Sequence, residues 1–288
     1  MVEKRTLRLV LPQWQGGNNP NYAFGCELLS HIVPTNPHME TVTVPINKEF
    51  HNELKVENGI EGESILLTQI KDTYKILEDK DPDKIIILGG DCSVSQAPFD
   101  FLNGKYKDNL GILWLDAHPD VSTVENSTRN HEMVLNNLIT GEGSNLAETV
   151  KNPIDSKRVM LAGLIYDELR EKDQFVNTKS LKYATPSQLM KDSDTIVKWV
   201  IDNNIEYLAV HFDLDVLSPE DYRSIYPAEP YIESFGAAIG QLTLDNIVRI
   251  LNDTSNYCDI VGLTIAEHLP WDAFRLRSAL SEISIFKD

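Results

Sequence analysis

Cysteine is scarce in this chain, with three in 288 residues: Cys26, Cys92 and Cys258. They are odd in number and far apart, which argues against a disulfide framework and for a cytoplasmic setting. Long apolar runs are lacking too. None approaches the ~18 consecutive residues of a membrane span, and Met1 to Trp14 lacks the long apolar centre and cleavage site of a secretory signal. No membrane partner is expected. Positive charge is the third shortage. Lys and Arg number 26 against 44 Asp and Glu, a formal net charge of -18, so no nucleic-acid partner is expected. An acidic surface serves solubility and also suits a cationic substrate. Gly89-Gly90 alone is too little for a phosphate-cradling loop, which sets aside a nucleotide-binding reading.

What is present is an ordinary globular composition, 42% hydrophobic and 24% charged, in a chain long enough to bury a sizeable core. No repeat, low-complexity tract or linker divides it, so one domain over 1–288 is expected. Strands are expected at Thr6–Leu11, Glu40–Val44, Ile85–Leu88, Ile112–Leu115, Arg158–Leu164, Ile205–Phe212 and Tyr257–Ile265. Helical spacing marks Ala23–Val33 (where Gly25 fits poorly), Ser64–Leu77, Ser95–Leu102, His131–Leu138, Ser187–Ile201, Asp245–Leu251 with Thr243 as N-cap, and Ala273–Ile285. Alternation of this kind implies an α/β fold, a mostly parallel sheet covered on both faces.

Four of these strands end in polar clusters: Asp91-Cys92, then Asp116, His118 and Asp120, then Asp213 and Asp215, then Glu267. In a parallel sheet such ends share one edge, where open α/β sheets place their chemistry. Asp213 and Asp215 are two apart and share a face of a straight strand. Gathering these carboxylates without counter-charge is costly. Divalent cations relieve the repulsion. Mixed carboxylate and imidazole donors suit borderline-to-hard ions, and bridging carboxylates suit a pair of them. His211 reads as a core histidine with a hydrogen-bond partner rather than a ligand, and His268 falls in a turn before Leu269-Pro270. His31, His38 and His51 stand alone and are assigned nothing.

Gly89-Gly90-Asp91-Cys92-Ser93, Asp116-Ala117-His118-Pro119-Asp120 and Phe212-Asp213-Leu214-Asp215-Val216-Leu217-Ser218-Pro219 resemble the three motifs of the ureohydrolases. That family includes arginase, agmatinase and formimidoylglutamase. The resemblance spans almost the whole chain, since Glu267 also falls where the family keeps an acid. It implies a three-layer α/β/α sandwich with a mostly parallel sheet of about eight strands. It also implies two divalent metal ions, usually manganese. By position, Cys92, Asp116, Asp120 and Asp213 would hold one metal. Asp116, His118, Asp213 and Asp215 would hold the other, with Asp116 and Asp213 bridging. The implied reaction is attack of a metal-bridging hydroxide on the amidine carbon of a small guanidino or formimino substrate, releasing urea or formamide. Asp120 would orient the hydroxide and pass its proton to the leaving amine. Glu267 would pair with the cationic amidine, and His131 falls where the family's loop histidine, a proposed proton shuttle, is expected. Homo-oligomers, trimers or hexamers, are common in the family.

Departures from the motifs carry their own expectations. The family's first ligand is normally histidine, and here it is Cys92. A thiolate is the softer donor and shifts preference from manganese toward zinc, iron or cobalt. The alternative is an unligated buried thiol beside a weak site, in a protein serving as a non-catalytic binding or regulatory subunit. Retention of Asp116, His118, Asp120, Asp213 and Asp215 favours the hydrolase. Ser218 replaces a usual aspartate at a position expected to be structural. Glu132 replaces a common glycine, so His131 also reads as an exposed histidine at a helix start. Val121 to Asn130 is expected to line the pocket mouth, with Ser127 and Arg129 binding a substrate carboxylate. Glu220 to Glu233, with Tyr222, Arg223, Tyr226 and Tyr231, is expected to form the opposite wall.

Overall fold

Apolar runs without polar alternation need cover on both faces, and in the structure they take the middle of one sheet. The structure is a computed structural model that describes residues 4–35, 39–283 and 285. In chain order its first half holds β1 (Thr6–Leu11), α1 (Asn21–Ile32), β2 (Glu40–Thr43), β3 (Val56–Glu57), β4 (Ile60–Glu61), α2 (Glu63–Lys80), β5 (Lys84–Gly89), α3 (Gln96–Tyr106), β6 (Leu110–Leu115) and α4 (Val134–Thr140). There follow β7 (Val159–Ala162), α5 (Phe175–Thr178), β8 (Lys182–Ala184), α6 (Pro186–Leu189), α7 (Asp194–Asp202), β9 (Tyr207–Asp213), α8 (Leu244–Ser255), β10 (Asp259–Ala266) and α9 (Trp271–Ser281).

Eight strands pair in the order β2-β1-β5-β10-β9-β6-β7-β8. Every neighbouring pair is parallel. Side-chain alternation sorts the two faces. Ile112 and Trp114 of β6 pack with Leu77 of α2, Phe99 and Leu102 of α3 and Leu135 and Leu138 of α4. Leu113 and Leu115 pack instead with Ile196 and Trp199 of α7 and Ile247 and Ile250 of α8. Cys26 and Leu29 of α1 pack on Val10 and Leu88. Three layers, helix over sheet over helix, are the result, as the motif resemblance implied. Among the described residues no helix is long and apolar enough to cross a membrane.

Several elements depart from the sequence reading. Strand β8 is three residues long at the sheet edge, too short to leave a period. The hairpin β3–β4 turns on Asn58-Gly59, whose φ values of 48° and 90° fit the tight turn that Asn-Gly favours. The long helix expected over Ser187–Ile201 is two helices. Asp192 Oδ1 accepts from Asp194 N at 3.1 Å and Ser193 Oγ donates to Asp253 at 2.7 Å. These short side chains give the backbone an alternative to helix and break it there. Thr243 caps α8 as expected, accepting from Asn246 N at 3.2 Å. Helix α9 starts at Trp271 and ends at Ser281; part of the expected Ala273–Ile285 helix lies outside the described residues, as does His38.

Candidate metal centre

Strands β5, β10, β9 and β6 are consecutive in the sheet, so their carboxyl ends lie side by side. This adjacency gathers residues 175 positions apart, Cys92 and Glu267. Local turns then aim each side chain. Asp91 is buried and accepts from Gly16 N at 2.9 Å and Ser93 N at 3.0 Å. It caps the short turn after β5 and presents Cys92. Asp116 Oδ1 accepts from His118 N at 2.6 Å, and Asp213 Oδ1 accepts from Asp215 N at 2.7 Å. Each first acid thus closes a turn onto the residue two positions on. That is the local reason for the Asp-x-His and Asp-x-Asp spacings. Glu267 N donates to Gly90 O at 2.7 Å, tying the end of β10 to that of β5.

Donor atoms meet in overlapping sets. Asp116, His118 and Asp215 form one, and Cys92, Asp116, Asp120 and His211 another. Asp213, Asp215 and Glu267 form a third, and Cys92, His131 and Glu267 a fourth, each with its atoms within 4.8 Å of one another. His118 Nδ1 lies 3.3 Å from Asp116 Oδ1 and 3.1 Å from Asp215 Oδ2. Cys92 Sγ lies 2.8 Å from Asp213 Oδ2 and 3.3 Å from Glu267 Oε1. His118 Nε2, Asp120 Oδ2, Asp215 Oδ1 and His211 Nε2 are buried without a hydrogen-bond partner among the described residues. A buried polar atom left in this state is costly. Several around one point, from carboxylate, imidazole and thiol, fit divalent cations. Backbone strain marks the same place. Asp120 and Glu267 adopt left-handed φ of 49° and 62°, conformations that concentrate at functional sites.

Electrostatics agrees with that fit. Burial first, and the surrounding carboxylates second, push Asp116 and Asp213 well above the usual carboxylate range. Burial raises Asp120 to about 7 although His131 and His118 pull it down. Burial, Asp213 and Glu267 push the Cys92 thiol up. The group with its charge locally balanced is Asp215, held low against burial by His118. The cluster is short of positive charge. Burial also works against a charged His131, but the hydrogen bond and charge of Glu267 outweigh it and raise the imidazole to about 9. His211, by contrast, is brought down to about 3 by burial.

A cleft of about 560 Å³ opens over this cluster. Of the residues singled out in the sequence, Cys92, His118, Asp120, His131, Asp213, Asp215, Glu267 and Arg129 line it. Asp116 is buried beneath them, 1% exposed. His131 Nδ1 lies 2.9 Å from Glu267 Oε1. Ser127 lies outside the lining, its hydroxyl donating to Glu132. The opposite wall uses Tyr226, Glu229 and Ile232 and continues through Ser234–Ala237, beyond the stretch expected. Tyr222 and Arg223 do not line the cleft, and Tyr231 is exposed, its ring under Arg275. Ser218 plays the structural part expected, its oxygen accepting from Glu220 N. His268 packs in a turn with Nδ1 3.1 Å from Gly25 O.

Tyr22 and Arg170 were not anticipated. Tyr22 OH donates to Glu267 Oε2 at 2.7 Å, and Arg170 lines the mouth. Neither carries a local sequence signal, because each reaches the cleft through tertiary packing. His211 did carry one. It stands two residues before Asp213, so the same-face spacing of Asp213 and Asp215 extends back to it.

Fold and site together define a class: a parallel α/β protein whose central strand ends bring carboxylates, imidazoles and a thiol to one polar cleft. Comparison with known proteins narrows this. The Arginase family model matches residues 35–274, and the chain belongs to the arginase family. The arginase of Staphylococcus aureus (strain COL) is 36% identical over 141 residues, covering 46% of this chain and 44% of that protein. The match thus spans less than half the length of that curated relative. The crystal structure of Entamoeba histolytica arginase in complex with L-ornithine superposes with a TM-score of 0.77 at 17% identity, over 93% of this chain and 91% of that one. Native Bacillus caldovelox arginase gives 0.71 at 20% identity, over 93% of this chain and 92% of that one. At such identities these two likenesses speak for the fold.

Proposed function

We propose that this protein is a metal-dependent hydrolase of C–N bonds in small linear amidines, releasing urea or formamide from a guanidino or formimino substrate. The observation that carries the reading is the convergence of Asp116, His118, Asp213 and Asp215 with Cys92 and Asp120 under one cleft, in a chain of the arginase family. Cys92, Asp116, Asp120 and Asp213 would hold one divalent cation, and Asp116, His118, Asp213 and Asp215 the other. Bound cations would supply Lewis acidity and lower the pKa of water. Manganese is the family's usual ion, and Cys92 adds zinc, iron or cobalt to the range.

The chain's own groups account for the remaining work. Glu267, braced by Tyr22 and His131, pairs with the cationic amidine and fixes its plane. Asp120 holds the attacking water's proton and passes it to the leaving amine. His131 has its Nδ1 engaged by Glu267 and its Nε2 without a hydrogen-bond partner among the described residues, which leaves that nitrogen to exchange protons at the cleft. At the mouth, Arg129 is exposed and lines the cleft, and its guanidinium has no hydrogen-bond or ion-pair partner among the described residues. A carboxylate at the far end of the substrate would find it there, whereas Ser127 lies outside the lining and is engaged by Glu132. That favours amino-acid-like amidines over agmatine. Homo-oligomeric assembly and a cytoplasmic setting belong to the same proposal, on the strength of the family and of the three unpaired cysteines.

Elemental analysis of protein purified without chelator, before and after soaking in manganese or zinc, tests the reading. About two metals per chain, with urea or formamide released from arginine, agmatine, guanidino acids or formiminoglutamate, is the expected result. No metal even after soaking would turn the assignment to a non-catalytic binding or regulatory subunit.

A further inference from the structure

His211 is fully buried on β9, ringed by groups that fix it. Its imidazole stacks on the Trp114 indole with centroids 3.7 Å apart and planes within 12°. Its Nδ1 lies 2.8 Å from Ser95 Oγ, and Ser95 Oγ donates onward to Thr264 Oγ1 at 2.9 Å. A hydroxyl has one proton to give. Ser95 spends its proton on Thr264, so His211 Nδ1 must be the donor in the first bond. That selects the tautomer with the proton on Nδ1 and a free lone pair on Nε2. Nε2 is buried and has no hydrogen-bond partner among the described residues. A ring nitrogen of His211, the Cys92 sulfur and carboxylate oxygens of Asp116 and Asp120 all lie within 4.8 Å of one another.

We propose that His211 Nε2 is a ligand of the first metal site, completing a set of Cys92, Asp116, Asp120 and His211. This rests on the metal-dependent reading above and assigns that site a donor which none of its three sequence motifs supplies. The arrangement has the form expected of a ligating histidine, with the far ring nitrogen held by an outer partner that fixes tautomer and plane. One sulfur, one nitrogen and two oxygens make four donors, a number and mixture that suit zinc. The imidazole missing at position 92 is thus supplied from the neighbouring region of the sheet. Asp213, two residues on, is left freer to serve the second site with His118 and Asp215.

The test uses the full chain, stripped of metal and titrated with zinc, in the wild type and in His211→Asn. Wild type should take up about two zinc ions per chain. His211→Asn should lose one of them or bind it at least about tenfold more weakly, the other site being unchanged. Because the variant removes a buried stacking partner, a second measurement stays with the unaltered protein. Selective 15N labelling of the seven histidines allows their ring nitrogens to be followed as zinc is added. Nε2 of His211 should shift on saturation, with Nδ1 remaining protonated. Wild type binding two zinc ions while the His211 nitrogens stay unmoved, or a folded His211→Asn binding both as tightly, overturns this assignment and leaves the broader one standing. Wild type binding no zinc overturns both.

Discussion

The indole Nε1 of Trp114 donates to Asp116 Oδ2 at 3.1 Å, and both side chains are buried. They lie two residues apart at the end of β6 and so share a face. The other Asp116 oxygen accepts from His118 N, which fixes the carboxylate at both ends. Asp116→Ala should abolish metal binding and turnover together. Trp114→Phe is the finer probe, since it keeps an aromatic ring against Phe99 and His211 and removes the donor. Loss of such an outer partner costs about 10- to 100-fold in metal affinity. Titration calorimetry with zinc should show a drop of that size in a protein that still folds, with Tm lowered by the space the smaller ring leaves in the core. Undiminished affinity would mean that the backbone turn alone orients Asp116.

Cys92 sits where its sulfur meets the Asp213 carboxylate at 2.8 Å. Cys92→His replaces a soft donor with a borderline one. In competition between equal manganese and zinc, the variant should retain at least about tenfold more manganese relative to zinc than the parent, read by elemental analysis. Identical metal content and preference in the two proteins would show that Cys92 is not a ligand.

Gly25 breaks the apolar spacing of α1, and packing explains it. A Cβ there would stand 1.7 Å from His268 O, beside the end of β10. Replacing glycine by alanine in a helix is worth about 1 kcal/mol from propensity. Overpacking against a backbone carbonyl costs about 1–3 kcal/mol or more. Packing should win, and Gly25→Ala should lower the urea midpoint. Its effect should extend to turnover, because His268 follows Glu267. A variant more stable than the parent would show that the loop yields freely.

Periodicity made the sheet readable because buried parallel strands are written as unbroken apolar runs, as in Ile85–Leu88 and Ile112–Leu115. The acids were readable because they sit just past those runs, where the loop frees them. What stayed hidden was contact made across the fold. Tyr22 reaches Glu267 from 245 positions away, and nothing near Tyr22 in sequence signals it. Arg170 meets the mouth from the loop after β7. His211 is the buried, hydrogen-bonded core histidine that the sequence suggested. Its bond to Ser95 uses one nitrogen and leaves the other without a hydrogen-bond partner among the described residues. A partner on one side of an imidazole is compatible with a ligand role on the other. Asn58-Gly59 is a hairpin signal in the sequence, but its strands are two residues each and leave no period beside it.

Arg129 gives the substrate proposal its most direct test. Its guanidinium stands at the cleft mouth, whereas Arg170 is already engaged by Asp173 at 2.9 Å. Arg129→Met should raise KM about 10-fold or more for a carboxylate-bearing amidine, at nearly constant kcat, since the contact is distant from the reacting carbon. Agmatine, which lacks the carboxylate, should be indifferent to the change. Equal effects on both substrates would place Arg129 in loop structure rather than recognition.

Glu132, beside His131, carries a pH dependence whose sign can be worked out. Burial opposes its charge, but hydrogen bonds from Lys172 and Ser127 and the charge of His131 outweigh it. They lower its pKa from 4.5 to about 2. A depressed pKa means that folding favours the charged form. The stabilisation is therefore complete above about pH 4.5 and is lost as pH falls through about 2. A shift of this size corresponds to at most about 3 kcal/mol, and partial exposure of Lys172 and Arg170 reduces that to about 1–2 kcal/mol. Glu132→Gln should accordingly be less stable than the parent by a near-constant margin from pH 7 to 5, measured by urea unfolding. The margin should then narrow between pH 4.5 and 2, and added salt should shrink it at neutral pH. A margin that stays flat through the acid range would assign the cost to lost packing and remove the ion pair from the account. The distinction matters for the site, because Glu132 anchors the loop that holds His131 over the cleft. A charge-held loop should loosen in acid before the sheet unfolds, whereas a packed one should melt with it.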